Sequence, residues 1–487
     1  MSDKNLKSKT IGGFFWRFAE RCGAQGVSLI VSIVLARLLA PEQFGVVSLI
    51  LVFTEILQVF VDSGLGNALI QKKNADDLDF SSVFYFNFVV CLVLYTGMFL
   101  IAPIIDNQLY IGKYDNLTAY IRVLSLVLII SGVKNIQQAY VSRKMIFKKF
   151  FFATLGGTIV AAIIGIVMAY YGFGVWAIIA QNLVNKVIDT TVLWVTVKWR
   201  PKRMFSFARL KILLSYGWKL LCSSLIDVIY RKTRQLIIGS YYSSSDLAFY
   251  NEGDKIPNFV VNNINTSIDS VLFPAMSKGQ DSKKHMKSMV RRSIKTSSFF
   301  MWPMMLGICA IAEPMVSLIL TDKWLPCVLF MRIFCIVYAF IPIHTANLNA
   351  IKAMGRSDIF LKLEIIKKIV GISVMFATIF ISIEAVAYSF LATTVLYSFI
   401  NAFPNKKLLG YSYLEQIKDI LPSIILAFVM FACSYSVTFL NLRNIITLIL
   451  QVIIGVIVYM GGAFIFKMEA FNYILNLIKR IIKRKKI

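Results

Sequence analysis

The sequence predicts an all-α integral membrane protein with about fourteen transmembrane helices. These form two six-helix lobes with a pseudo-two-fold repeat, plus two C-terminal helices. Three observations carry this expectation. Apolar residues make up 58% of the 487-residue chain and the mean hydropathy is +0.71, whereas a soluble chain is about half apolar with short runs. The charge is sorted: of 52 Lys and Arg, 34 fall in the connections and tails on one side of the apolar stretches and 4 on the other, the rest lying inside them. Finally, features of the first half recur about 210 residues later, as between the connections at Arg143-Lys144 and Lys352-Ala353.

Each element follows from its own stretch. Spans are expected at about 12–36, 44–69, 82–104, 119–141, 151–170, 174–197, 213–239, 247–275, 297–320, 327–351, 358–381, 384–404, 419–440 and 445–466. At about 1.5 Å per residue each can cross a hydrocarbon layer of about 30 Å. Cytoplasmic loops of membrane proteins carry the Lys and Arg excess, so both termini are expected in the cytoplasm. The organisation that follows is a cytoplasmic tail (1–11), an N-lobe (12–197), a cytoplasmic linker (198–212), a C-lobe (213–404), two added helices (405–466) and a basic cytoplasmic tail (467–487). Six plus six spans in parallel repeat place the pseudo-two-fold along the membrane normal. The polar start, Met1 to Thr10, leads into a long span with no small-residue cleavage site, so no cleavable signal peptide is expected.

Several function classes are set aside. A formal charge of +27 suggests nucleic acid, but basic clusters such as Arg143, Lys144, Lys148 and Lys149, or Lys283, Lys284, Lys287, Arg291 and Arg292, sit between apolar stretches and are explained by topology. No nucleic-acid partner is expected. No GxxxxGK[ST] loop is present to cradle phosphates, and Gly64 and Gly66 do not open a βαβ unit. His285 reads as a solvated loop residue, and His344 as either a packed polar residue or a pore-lining one. Seven cysteines scattered through apolar segments, without CxxC spacing, read as small buried hydrophobes. No metal site, cofactor or catalytic residue is expected. With short non-cytoplasmic connections, the longest at about Asp106 to Asn116, the chain has no outer domain in which to build an enzyme site.

The informative chemistry is charge placed where it is expensive. A charged side chain at the bilayer centre costs about 2.5 to 3.5 kcal/mol on insertion scales, so it faces the bundle interior or water. The first span carries Arg17, Glu20, Arg21, Gln25, Ser28 and Ser32 in steps of three and four, one helix face. The second adds Glu55, Gln58 and Asp62. In the seventh, Lys219, Ser223, Asp227, Arg231 and Arg234 form a stripe with Lys232 and Gln235 beside it. The eighth holds Glu252, Asp254, Lys255, Asn258, Asn262, Asn263, Thr266 and Asp269. These spans are counterparts in the two halves, so their polar faces are expected to meet across one cavity. Against this stands a purely structural role, with Arg17 snorkelling to the interface and Glu20 pairing with Arg17 or Arg21. The excess of cations over Asp227 on the seventh span points instead to an anionic ligand. Arg suits phosphate because its fork binds two oxygens at once. The C-terminal run Lys479 to Lys486 reads as an anchor on anionic lipid.

The runs Ala36-Arg37-Leu38-Leu39-Ala40-Pro41-Glu42-Gln43-Phe44-Gly45, Asp62-Ser63-Gly64-Leu65-Gly66-Asn67-Ala68-Leu69-Ile70-Gln71, Leu272-Phe273-Pro274-Ala275-Met276-Ser277 and Thr321-Asp322-Lys323-Trp324 together resemble a known family. They look like signatures of the polysaccharide-transporter branch (Wzx and WzxC-like proteins) of the multidrug/oligosaccharidyl-lipid/polysaccharide (MOP) flippase superfamily. The turn after Tyr242 lacks a counterpart of Gly45. The resemblance implies a flippase of the bacterial inner membrane. It would carry undecaprenyl-pyrophosphate-linked oligosaccharide repeat units to the outer leaflet for O-antigen, capsule or exopolysaccharide assembly. The partners implied are that lipid-linked substrate, membrane lipids and polysaccharide polymerase or assembly proteins.

For such a role Arg17, Arg21, Lys219, Arg231, Arg234 and Lys255 are the expected pyrophosphate-binding cations. Glu20, Gln25, Gln58, Asn258, Asn262 and Asn263 are the expected polar lining. Glu55, Asp62, Glu252 and Asp269 are the carboxylates to test for proton or sodium coupling. Two other classes are open: a cation-coupled drug or metabolite antiporter of the same superfamily, which favours acidic cavities, and a membrane transferase or polymerase.

Overall fold

The computed structural model describes residues 23–62, 65–72, 74–110, 114–144, 148–278 and 282–472, and among them the regular structure is helical throughout. The helices are α1 (Gly23–Leu38), α2 (Pro41–Asp62), α3 (Leu65–Gln71), α4 (Asp77–Ile104), α5 (Leu117–Leu124), α6 (Leu126–Lys144), α7 (Lys148–Tyr170), α8 (Val175–Thr196), α9 (Phe207–Tyr241), α10 (Ser244–Lys278), α11 (Lys283–Ile319), α12 (Cys327–Ala339), α13 (Ile341–Ala353), α14 (Ser357–Thr378), α15 (Ile383–Leu409), α16 (Tyr413–Tyr435) and α17 (Asn444–Ile465). Helices fall on each of the fourteen expected spans, three of them as helix pairs, the first span being described from Gly23 onward. By length and composition alone, nine described spans are long and apolar enough to cross a membrane. The remaining expected spans fall on α1, α8, α9, α10 and α14. In α9 and α10 it is the charged and amide side chains singled out above that depress hydropathy.

The chain divides into two compact units, Met1–Ala248 and Phe249–Ile487. In the first, α7 and α8 pair as a long hairpin, and α2 is packed by α6, α8 and α9. Pro41 opens α2 at the position where its missing N–H costs nothing. The start of α2 closes directly on the turn between α9 and α10. A Cβ built on Gly45 would stand 1.8 Å from the carbonyl oxygen of Ser244, so only glycine allows the approach, and Ser245 Oγ donates to Glu42 Oε1 at 2.6 Å beside it. At the opposite end the segment 198–206 is pinned to the start of α4. Trp199 Nε1 donates to Asp77 Oδ1 (3.1 Å), while the Lys202 and Ser206 amides donate to Ser81 and Ser82 (3.0 and 2.9 Å). The expected linker is therefore a bonded strap. Beneath it Leu69, Phe80, Ile136, Leu193 and Leu210 form a buried core.

In the second unit α11 is the central post, packed by α12, α13, α16 and α17, while α14 and α15 pair as a hairpin whose α15 packs on α12 and α13. Its start corrects one expectation. The basic connection from Lys283 onward, His285 included, is helix and not loop. The reason is amphipathicity: Met286, Val290 and Ile294, four residues apart, are wholly buried against Ile343, Ala346, Leu409, Tyr411 and Ile420. The basic residues take the other face, with His285 exposed. A second finding concerns spans four and ten, counterparts in the expected repeat: each is interrupted, at Ser125 between α5 and α6 and at Phe340 between α12 and α13. Pro342, with no N–H to donate, accounts for the second break.

Candidate functional site

In the first unit the polar stripes of α2 and α9 meet. Asp227 and Arg231 lie one turn apart on α9 and pair at 3.1 Å, both more than half exposed. Lys232, one residue and about 100° further round, turns to the neighbouring helix. Its ammonium contacts Glu55 of α2 at 2.6 Å and donates to Gln235 Oε1 at 3.1 Å. Lys232 is only 22% exposed while Glu55 is 47% exposed, so the cation is the sheltered member of the pair. Gln58, one turn beyond Glu55, and Arg234 are half-buried in the same unit, and Gln25 on α1 is exposed.

In the second unit α10 presents a different arrangement. Glu252 is buried and pairs with Lys255 at 2.8 Å. Asp254 accepts hydrogen bonds from the Tyr338 hydroxyl of α12 and from Asn258 Nδ2 at 3.1 Å, and the same amide reaches Tyr338 Oη at 3.0 Å. Asn262 donates to Asn258 Oδ1, Asn263 donates to the Phe259 carbonyl at 2.7 Å, and Thr345 of α13 donates to Asn265 Oδ1 at 2.7 Å. Tyr338, Asp254, Asn258 and Asn262 thus form a chain of hydrogen bonds along one face of α10, with the Asn263 and Asn265 bonds beside it.

Of the expected site residues, Arg17, Glu20 and Arg21, together with the side chains of Asp62, Lys219 and Asp269, lie outside the described residues. Those that are described are Gln25, Glu55, Gln58, Arg231 and Arg234 in the first unit, and Glu252, Lys255, Asn258, Asn262 and Asn263 in the second. Of the carboxylates put forward for ion coupling, Glu55 and Glu252 are each in contact with a lysine. Among the described residues no group of three His, Cys, Asp or Glu is arranged to hold a metal ion.

Sequence reasoning passed over several polar contacts. Lys134 of α6 and Asp189 of α8 form an ion pair 12% and 6% exposed. Both lie inside apolar stretches of the first unit, which also hold Arg122 and Lys186, and their opposite signs were a usable signal. Asp254 was noted only as one of many polar residues, and its partner Tyr338 stands in an apolar run that gives no hint. In the second unit Asn347, Asn405 and Gln416 interlock, fully buried. Asn347 and Gln416 exchange bonds of 2.7 and 3.0 Å, and Asn405 donates to Asn347 Oδ1 at 2.7 Å. His344, half-buried on the same helix as Asn347, has its Nδ1 3.0 Å from Asn401 Nδ2.

A family model described as polysaccharide biosynthesis protein matches residues 34–329. The succinoglycan biosynthesis transport protein ExoT of Rhizobium meliloti is 25% identical over 313 residues, 63% of this chain and 62% of that protein, so the match spans under two thirds of its length. The lipopolysaccharide biosynthesis protein WzxC of Escherichia coli is 22% identical over 437 residues, 88% of each chain. Among solved structures, the lipid II flippase MurJ in an inward closed conformation superposes with a TM-score of 0.75 at 15% identity, covering 93% of this chain and 98% of that one. Of these, ExoT is named a transport protein and MurJ a flippase.

Proposed function

The chain belongs to the polysaccharide biosynthesis protein family, and from that premise we propose that it is a flippase for lipid-linked oligosaccharides. It is a multi-pass membrane protein with the MOP flippase fold expected from the sequence. The substrate proposed is an undecaprenyl-pyrophosphate-linked repeat unit, moved outward across a bacterial inner membrane by alternating access, with both termini in the cytoplasm.

The observation that carries this reading is Arg231, Lys232 and Arg234, three cations within four residues of α9, of which Lys232 meets Glu55 of α2. A membrane helix tolerates such a cluster only where it meets water, carboxylates or an anionic ligand. A pyrophosphate supplies an oxyanion suited to Arg and Lys donors. With Lys255, and with Arg17, Arg21 and Lys219, these cations would accompany the anion through a layer where it is poorly solvated. An interior-negative potential assists outward movement by about 2.3 kcal/mol per charge per 100 mV. The amides of α10 suit sugar hydroxyls, which need both donors and acceptors.

The test is complementation in a strain deleted for its own repeat-unit flippase, scoring surface polymer and the lipid-linked intermediate for wild type, Arg231→Ala, Lys232→Gln and Arg234→Ala at equal membrane level. Polymer restored by wild type, with intermediate accumulating in the variants, is expected. Wild type that fails across strains making different glycans would overturn the proposal in favour of an antiporter.

A further inference from the structure

Two cations of the α9 cluster each hold a carboxylate, and one of those carboxylates comes from another helix. Lys232 reaches Glu55 at 2.6 Å, from α9 to α2, while Arg231 holds Asp227 within its own helix at 3.1 Å. The intrahelical pair is the ordinary i, i+4 arrangement and says little by itself. The interhelical pair says more. Lys232 is 22% exposed and Glu55 is 47% exposed. A sheltered ammonium requires a counter-charge nearby, whereas the half-exposed carboxylate can let go and remain hydrated.

We infer that Glu55, seconded by Asp227, is a built-in competitor of the substrate's pyrophosphate. It occupies the cations when no substrate is bound and is displaced when substrate enters. This rests on the reading of the site as one for a phosphorylated lipid. A carboxylate and a phosphate are alternative oxyanions for the same donors. The pyrophosphate carries more charge, so it wins the exchange, but only against the opposing pair. The exchange weakens net affinity, which a carrier needs in order to release what it binds. Glu55 is thereby assigned a role in tuning affinity for the anion, in place of the ion-coupling role expected from its position in a span.

The experiment uses the full chain in nanodiscs of zwitterionic lipid, with inorganic pyrophosphate as the probe and binding measured at fixed ionic strength. Glu55→Gln is expected to bind about two- to fivefold more tightly than wild type, the range that release of a partly exposed ion pair allows. Lys232→Gln is expected to bind more weakly, and in the Lys232→Gln background Glu55→Gln should give no gain. Asp227→Asn makes the same test at the neighbouring pair and serves if Glu55→Gln does not insert. Unchanged or weaker binding in both carboxylate variants, with wild type binding normally, overturns the inference while leaving the flippase reading intact. Wild type that does not bind pyrophosphate at all, with Lys232→Gln indistinguishable from it, overturns the anion-site reading and the inference with it.

Discussion

The buried pair Lys134–Asp189 gives the sharpest prediction about what holds the first unit together. The two side chains are 12% and 6% exposed, and Asp189 Oδ1 is buried without a hydrogen-bond partner. The pair is thus close in geometry but under-satisfied: two ions have been taken out of water, and one carboxylate oxygen gains nothing in return. Removing one partner leaves a buried charge uncompensated, at a cost of about 3 to 5 kcal/mol. Removing both with apolar side chains of similar volume removes the desolvation penalty together with the attraction, which is often neutral or stabilising. Lys134→Met and Asp189→Leu are therefore each expected to lose about 3 to 5 kcal/mol, and the double variant to return to within about 1 kcal/mol of wild type. Unfolding of the purified protein in mixed micelles, titrated with a denaturing detergent, would give all four free energies. The reasoning fails if the double variant loses the sum of the two single losses, because the interaction energy would then be near zero and the pair a coincidence of packing.

Other outcomes follow from single contacts. Gly45→Ala places a methyl 1.8 Å from the Ser244 carbonyl oxygen and should cost at least the upper part of the ~1 to 3 kcal/mol range for overpacking. Gly156→Ala, with nothing within 4 Å of the built Cβ, is the control and should show no such loss in thermal denaturation. Asn347→Leu strands the amides of Gln416 and Asn405, which donate to Asn347 Oδ1 at 3.0 and 2.7 Å. It should lower stability by about 1 to 3 kcal/mol, measured by the same unfolding titration, and Asn405→Leu alone should cost less because it breaks fewer bonds. A fluorescent reporter that matures only in the cytoplasm, fused after Ile487, should be bright, and an alkaline phosphatase at the same point inactive, as the Lys and Arg distribution requires.

Much of the fold was legible because the bilayer restricts the choices. A chain with apolar stretches of this length must be helical within them, since backbone polar groups in hydrocarbon have no water to bond. That constraint makes the stretches themselves sufficient to expect fourteen spans in order, on which the described helices fall, three of the spans as helix pairs. The boundaries were less legible at the wet ends. Lys283 to Arg292 reads as a charged loop by composition, yet Met286, Val290 and Ile294 carry α11 through it. The helical period was present there, but the density of charge masked it. The break at Phe340 was signalled by Pro342, whereas the break at Ser125 has no comparable signal.

The site divides along the same line. Charges inside spans stand out in one dimension because each is costly there, so Glu55, Arg231, Arg234, Glu252 and Lys255 were legible as residues that need an explanation. Their partners were not. Lys232 was placed beside the α9 stripe, and only the packing of α9 on α2 shows that it, and not Arg231, bridges the two helices. Tyr338 acquires its meaning from Asp254, 84 positions away, and Lys134 from Asp189, 55 positions away. The sequence by itself determined that this is a helical membrane protein, how its helices are ordered and which side chains are anomalous, because periodicity, length and charge cost are local properties. The tertiary structure alone decided which anomalous charges neutralise one another, because pairing depends on which helix faces meet, and that is set by packing between segments far apart in the chain.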